Sequence, residues 1–313
     1  MPEKRLGQAS TADEAAVETA LRRIPELQGQ DLAYERIAAG ITNANWRIRR
    51  EPGNELLFLK VPGTGTEMFI DRKAAHDANL KAALVGVGPR VLHYLEDSGV
   101  EVFEYLAGYR SCNSIDFRDR DVRMNSLAAL KQLHQGPALS LTKTYFDMIE
   151  EHRRQVGELA AALPRDWEAL QWHYGRIRRA LTAAGLDIVP CINDTYVTDF
   201  MVNDRKEIKL VDFEYASNND RCADLAIWFF ELFFPEAIED ELIEAYFGAC
   251  RPELKARIAV YKALICIKWT LWTSVQRRLS TLRFDYAKYG AWLNLRGRFH
   301  LRDWRWETYL RTL

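Results

Sequence analysis

The sequence predicts an α+β chain of two lobes, a small one built on an antiparallel sheet and a larger, mainly helical one. Three observations carry this expectation. Between residues 34 and 63, β-branched and aromatic side chains alternate with polar ones, and Gly, Asn and Pro punctuate the runs. From Asp119 onward the pattern is mostly helical. Two short strands interrupt it, flanking "MVNDRKEI" at residues 201–208, and read as a hairpin. The change of period near residue 108 sets the expected lobes at 1–108 and 109–313.

Each element follows from its local pattern. Residues 13–27 repeat Ala, Val, Leu and Ile at helical spacing with charges between, which predicts an amphipathic leading helix. "YERIAAGITNANWRIRR" and "ELLFLKVPG" read as strands joined by turn residues. "IDRKAAHDANLKAALVGVG" reads as a helix ended by glycines, and "RVLHYLEDSGVEVFEYL" as two strands about a turn at Asp97-Ser98-Gly99. The tail "RGRFHLRDWRWETYLRTL" interleaves arginine with tryptophan, but Asp303 and Glu307 break any single-sign block, so a docked helix is expected.

Composition narrows the function classes. Hydrophobic residues make up 48% of the 313, enough for a substantial core. Lys plus Arg total 43 against 44 Asp plus Glu, a balance with no long-range field to gather nucleic acid or an anionic membrane. Five cysteines without a CxxC pair point to a reducing cytosol rather than to a disulfide framework or zinc site. The N-terminus lacks an apolar signal core, and the greasiest stretch, "LAIWFFELFFPEAI", is interrupted by Glu231 and Pro235. A cytoplasmic protein with no membrane partner is expected.

Three carboxylates then stand close together. "CINDTYVTDF", residues 191–200, holds Asp194 and Asp199, and Asp212 follows the apolar run "IKLV". A phosphoryl group in transfer needs its charge neutralised by metal and a basic side chain, while a carboxylate orients the attacking hydroxyl and accepts its proton. Carboxylates at hairpin ends suit Mg²⁺, which prefers oxygen ligands.

These segments resemble the choline and ethanolamine kinases. "PCINDTYVTDFM", "LVDFEYASNNDRCADLA" and "FFE" are similar to that family's catalytic and metal segments. "GITNANWRI" is similar to its phosphate loop, "FLKVPGTGTEMFIDR" to its basic-residue strand, and "WTLW" with Gln276 to its tryptophan-bearing helix. The similarity runs in the family's order over roughly residues 37–276. It implies a protein-kinase-like fold and transfer from ATP with Mg²⁺.

The resemblance also implies roles. Asp194 matches the catalytic base, Asp212 a Mg²⁺ ligand, and Lys60 the basic residue that grips the nucleotide phosphates. Gly40, Thr42 and Asn43 match the loop covering those phosphates, and "FEYLAG", with Glu104 and Leu106, the hinge that meets adenine. Asp224 is expected to be structural, and His134 to be a packing histidine. Three positions depart. Asp199 stands where the family has a metal-binding asparagine, Ile192 where it has a loop histidine, and Ala75 where a glutamate would pair with Lys60. Asp77 or Glu67 is the expected substitute for that glutamate.

Trp269 and Trp272, at i and i+3, share a helix face. Aromatic faces hold quaternary ammonium groups, each contributing about 0.5–2 kcal/mol. Under the resemblance the pair is expected, with Glu231, to hold the ammonium of the acceptor, which makes choline the first choice. Ethanolamine or an aminoglycoside is the alternative acceptor, and a catalytically weakened binding protein the alternative class. Oligomeric state is left open.

Overall fold

The computed structural model describes residues 3–38, 43–63, 66–280 and 284–313. In the small lobe six strands form one antiparallel sheet of order β1-β2-β3-β4-β6-β5, with β1 Lys4–Arg5, β2 Asp31–Ile37, β3 Asn43–Glu51, β4 Glu55–Pro62, β5 Val91–Leu95 and β6 Val100–Glu104. The alternation of Trp46 and Ile48 on β3 with Leu57 and Leu59 on β4 buries one face against Val17 and Leu21 of α1, Ala12–Arg23. The leading helix stops at Arg23, four residues before its expected end, because Pro25 fits only the first turn of a new helix and opens a separate 3₁₀ turn. Thr11 and Glu14 close a reciprocal capping box at its start. Helix α2, Arg72–Leu84, is capped by Asp71 and sends Ala78 and Ala82 toward the core of the large lobe.

The large lobe begins with β7, Arg110–Ser111, which pairs with β9, Phe200–Val202; β9 in turn pairs with β10, Ile208–Leu210. This is the expected hairpin. A separate sheet of two strands joins β8, Ile188–Cys191, to β11, Ser217–Asp220. Around these stand α3 Arg120–His134, α4 Tyr145–Glu158, α5 Trp167–Ala184, α6 Arg221–Leu232, α7 Glu236–Phe247, α8 Pro252–Leu279, α9 Tyr286–Leu301 and α10 Trp306–Thr312. Trp228 of α6 packs edge-on against Phe117 and tilted against Phe200, so the hairpin is held from beneath by aromatic side chains. α8 is long and apolar enough to cross a bilayer, yet 94% of its apolar window is buried within the lobe, which makes it the central core helix. The C-terminal tail docks: Trp306 is buried, and Arg176 of α5 holds Glu307 through two bonds of 2.7 and 2.5 Å.

Candidate active site

The chain passes from β8 through residues 192–199 into β9, and from β10 through residues 211–216 into β11, so both carboxylate segments leave one pair of small sheets. The first is fixed from below by Asp224 of α6. Its carboxylate accepts the backbone N–H of Ile192 at 2.8 Å and of Asn193 at 2.7 Å, and lies 3.0 Å from His134 Nε2. The other nitrogen of His134 meets the Tyr246 hydroxyl at 2.6 Å, so this buried histidine has both nitrogens engaged. The Ile192 side chain packs into the core, where the expected histidine would have offered a polar ring. The order of the loop comes from Asp224 acting on its backbone.

Asn193 completes the frame. Its backbone adopts a left-handed φ of 61°, and its amide donates to the Tyr215 carbonyl and the Ser217 hydroxyl, both at 2.8 Å. This ties the Asp194 loop to the segment that carries Asp212. Asp212 is itself left-handed at φ 68°, a strained conformation for a side chain with a Cβ. It turns there between Val211, whose N–H bonds to the Asp199 carbonyl at 2.9 Å, and Phe213, which is anchored in the core.

Lys60 reaches across from β4. Its Nζ lies 2.6 Å from Asp212 and 3.2 Å from Glu214, and in the sheet it stands opposite Glu101 of β6. Burial alone would lower this ammonium, but Asp212 and Glu214 outweigh it and hold the group above its ordinary value. The acids that serve Lys60 are therefore Asp212, Glu214 and Glu101, not Asp77 or Glu67. Asp77 is spent on Lys81 at 2.7 Å and on the N–H of Ser140, while Glu67 is exposed. Glu101 is in turn held by His76 at 2.8 Å and Asn79 at 2.9 Å, both from α2, so that helix still supports the lysine, through an intermediary.

A cavity of about 340 Å³ opens between the lobes, lined by Lys60, Phe103, Glu104, Leu106, Asp199 and Asp212. The Glu104 carboxylate turns to Arg90, at 2.8 Å. Asn43 donates to Glu214 at 2.6 Å, linking the start of β3 to the same acidic group. Gly40 and Thr42 lie outside the described residues.

The carboxylates strain against one another. Burial pushes Asp194 up to about 7, opposed most by Lys268 and reinforced by Asp212, Glu231 and Glu214. Burial likewise holds Asp199 well above the usual carboxylate range, with Asp212 and Asp194 adding and Lys60 opposing. Three acids thus share one field, with Lys60 and Lys268 as the cations acting on it. Such a donor set fits a divalent cation, whose charge would relieve the repulsion that burial amplifies.

The acceptor side differs from expectation. Trp269 and Trp272 do share a face, and with Tyr215 they form an aromatic corner: Trp269 stands edge-on to Tyr215 at 5.3 Å and to Trp272 at 5.5 Å. The Trp272 indole N–H donates to the Tyr215 hydroxyl at 2.9 Å. The cation in that corner, however, is the chain's own Lys268, which the sequence reading passed over although it stands alone in the apolar run "LICIKWTLW". Glu231, expected to help hold the acceptor's ammonium, faces a cation of the chain itself, Arg296, at 3.3 Å.

Residues 34–242 match the family described as choline/ethanolamine kinase. A probable ethanolamine kinase of Arabidopsis thaliana is 23% identical, over 84% of this chain and 78% of its own length. A probable choline kinase of the same plant is 22% identical, over 78% of this chain and 79% of its own. Among solved structures, a choline/ethanolamine kinase family protein from Mesorhizobium loti superposes with a TM-score of 0.83 at 27% identity, covering 96% of this chain and 98% of that one. Choline kinase LicA from Streptococcus pneumoniae gives 0.79 at 22% identity, over 92% of this chain and all of that one. With the two-lobed protein-kinase-like fold and the inter-lobe acids already in view, the match over residues 34–242 makes this chain a member of the choline/ethanolamine kinase family.

Proposed function

We propose that the chain is an ATP-dependent kinase that phosphorylates the hydroxyl of a small amino alcohol, choline or a near relative such as ethanolamine. The observation that carries this reading is the meeting of Lys60, Asp199 and Asp212 on the wall of the inter-lobe cavity, with Asp194 acting on the two aspartates through the same electrostatic field. Support for the nucleotide comes also from a fold neighbour, a LicA structure in complex with AMP.

In this mechanism Lys60 leaves Asp212 to neutralise phosphate oxygens, and Glu101, opposite it on the neighbouring strand, keeps a negative charge near the lysine. Asp194 accepts the hydroxyl proton as the acceptor oxygen bonds to the γ-phosphorus and the bond to the ADP oxygen breaks. Asp212 and Asp199 would hold Mg²⁺, which supplies charge neutralisation of the phosphates. The departures at 192 and 75 leave these roles supplied, since Asp224 orders the loop and Glu101 backs the lysine. That favours an enzyme over a binding protein that has lost turnover.

The test is transfer of labelled γ-phosphate from ATP to choline, ethanolamine and an aminoglycoside, with Mg²⁺ and with Mn²⁺ because Asp199 adds a charge at a metal position. Labelled product with an amino alcohol is the expected result. Binding of ATP and acceptor without any labelled product would sink the reading.

A further inference from the structure

Lys268 lies in α8 one residue before Trp269 and is wholly buried. Its Nζ sits 3.0 Å from the centroid of the Trp269 ring and 4.3 Å from that of Tyr215. No described residue gives this nitrogen a hydrogen bond. Asp194 is the strongest opposite charge acting on it, and Lys143 and Glu151 act more weakly. Behind it is a cavity of about 20 Å³, room for one water molecule, which Lys143, Glu151, His152 and Glu214 also border.

Ring faces stabilise a cation through their negative quadrupoles, and the faces of Trp269 and Tyr215 already carry one. A quaternary ammonium entering the same corner would set a second positive charge against Lys268. Having neither an N–H bond nor a lone pair, it would also leave the buried lysine nitrogen unpartnered, which is costly away from water. An acceptor with a primary amine escapes both penalties once Lys268 has released one proton to solvent, a step a quaternary ammonium cannot turn into a hydrogen bond. It shares a proton with Lys268 through a hydrogen bond and does not depend on the occupied ring faces. Burial holds Lys268 well below the ordinary lysine value, with Asp194 opposing, so its nitrogen is suited to accept as well as to donate.

We propose that Lys268 is the acceptor-selecting residue of this chain: it fills the aromatic corner beside Asp194 and turns the site away from quaternary ammonium alcohols, toward small alcohols whose amine carries N–H bonds. This rests on the kinase reading above and narrows its substrate.

The experiment is a comparison of kcat/KM for ethanolamine and choline in the wild type and in Lys268→Met, with Lys268→Leu as a second apolar variant and thermal melts as the check of folding. The wild type is expected to prefer ethanolamine by about tenfold or more, and Lys268→Met to shrink that ratio by about tenfold through a gain on choline. A wild type that prefers choline, or a ratio unmoved in both variants, overturns the proposal. A second readout needs no turnover: titration of tryptophan fluorescence with tetramethylammonium chloride. Binding about tenfold tighter in Lys268→Met than in the wild type is expected, and equal binding overturns the proposal. If no amino alcohol is phosphorylated but tetramethylammonium binding improves, the kinase reading falls and the role of Lys268 at the corner stands. If transfer is brisk while neither ratio nor binding changes, the reverse holds.

Discussion

Two lysines, Lys60 half-buried and Lys268 wholly buried, stand at opposite ends of the same acidic cluster, and the chain treats them in contrary ways. Lys60, on β4, is met by Asp212 and Glu214 within hydrogen-bonding or ion-pair distance, and its ammonium is held above the ordinary value against the pull of burial. Lys268, on α8, meets ring faces and no hydrogen-bond partner among the described residues, and burial wins. Both have lost water, Lys60 in part and Lys268 wholly. What separates them is what replaced it: carboxylate oxygens restore most of a cation's solvation, whereas aromatic faces restore only part. One lysine is thereby equipped as a permanent charge for phosphate, and the other as a group that can be persuaded to give up its proton.

The hardest test of this contrast removes the carboxylate that feels the acceptor-side lysine. Asp194→Ala is expected to lower kcat by about 10³-fold, within the range for a general base, with the thermal melt intact. Loss of the melt along with activity would place Asp194 in the framework instead. Lys60→Met comes next, at about 10²-fold in kcat/KM for ATP, since it withdraws one preorganised positive group from the phosphates. Its effect is expected on the ATP terms, and that of Lys268→Met on the acceptor terms, in initial-rate kinetics with each substrate varied.

The pH profile sharpens the comparison. Asp194 must be ionised to accept a proton and burial pushes it up to about 7, so kcat/KM is expected to rise with pH through that value. Lys268 is the charge that most favours its ionised form, so Lys268→Met should displace the limb to higher pH. Lys60 bears instead on Asp199, so Lys60→Met should leave the limb nearer its place. A limb that moves with Lys60 and not with Lys268 would reverse the pairing drawn here.

The smallest effects concern stability, and they should differ in sign. pH 7 lies below the unfolded lysine value of about 10.4, so both lysines are charged in the unfolded chain there. Lys60, raised on folding, contributes stability that is fully present there and is lost only as pH rises through its folded value. Its replacement by Met strands Asp212 and Glu214 and is expected to cost about 1–3 kcal/mol. Lys268, lowered on folding, opposes folding at pH 7, by an amount that shrinks as pH climbs toward the unfolded value. Lys268→Met is therefore expected to raise the melting temperature by a few degrees in differential scanning calorimetry at pH 7, and by less at pH 9. Two variants that both destabilise would show that packing, not solvation, decides at α8.

Much of this was legible in the sequence, for identifiable reasons. Strand alternation announced the small-lobe sheet because one face of it must be buried, as Trp46, Ile48, Leu57 and Leu59 are. The hairpin at 200–210 showed through the apolar runs on either side of its turn. Strand β11 did not. "SNND" has no apolar alternation, and its extended form is held by partners distant in sequence, Cys191 to Ile188 across the sheet and the side chains of Asn193 and Leu139's backbone around it. The roles of Asp194, Asp199, Asp212 and Lys60 came from the family resemblance; Lys60, Asp199 and Asp212 line one cavity, and Asp194 acts on Asp199 and Asp212 by charge. The acids that serve Lys60 escaped notice because one stands across a sheet register and another two residues past Asp212, relations that pairing creates and spacing does not encode. Lys268 was missed for a similar reason. Its significance needs Tyr215, fifty-three residues away, to bring a ring to it.

The grip of Lys60 on Asp212 also governs how the cleft fills. That ion pair spans the two lobes, and a hydrogen bond from the Asn43 amide to the Glu214 carboxylate spans them too. An anion that draws the lysine away leaves Asp212 bereft of its counter-ion and hungry for another, while a cation that claims Asp212 frees the lysine for the anion. Each guest therefore prepares the seat of the other, and by thermodynamic reciprocity nucleotide and metal should each tighten the other's binding by the same factor.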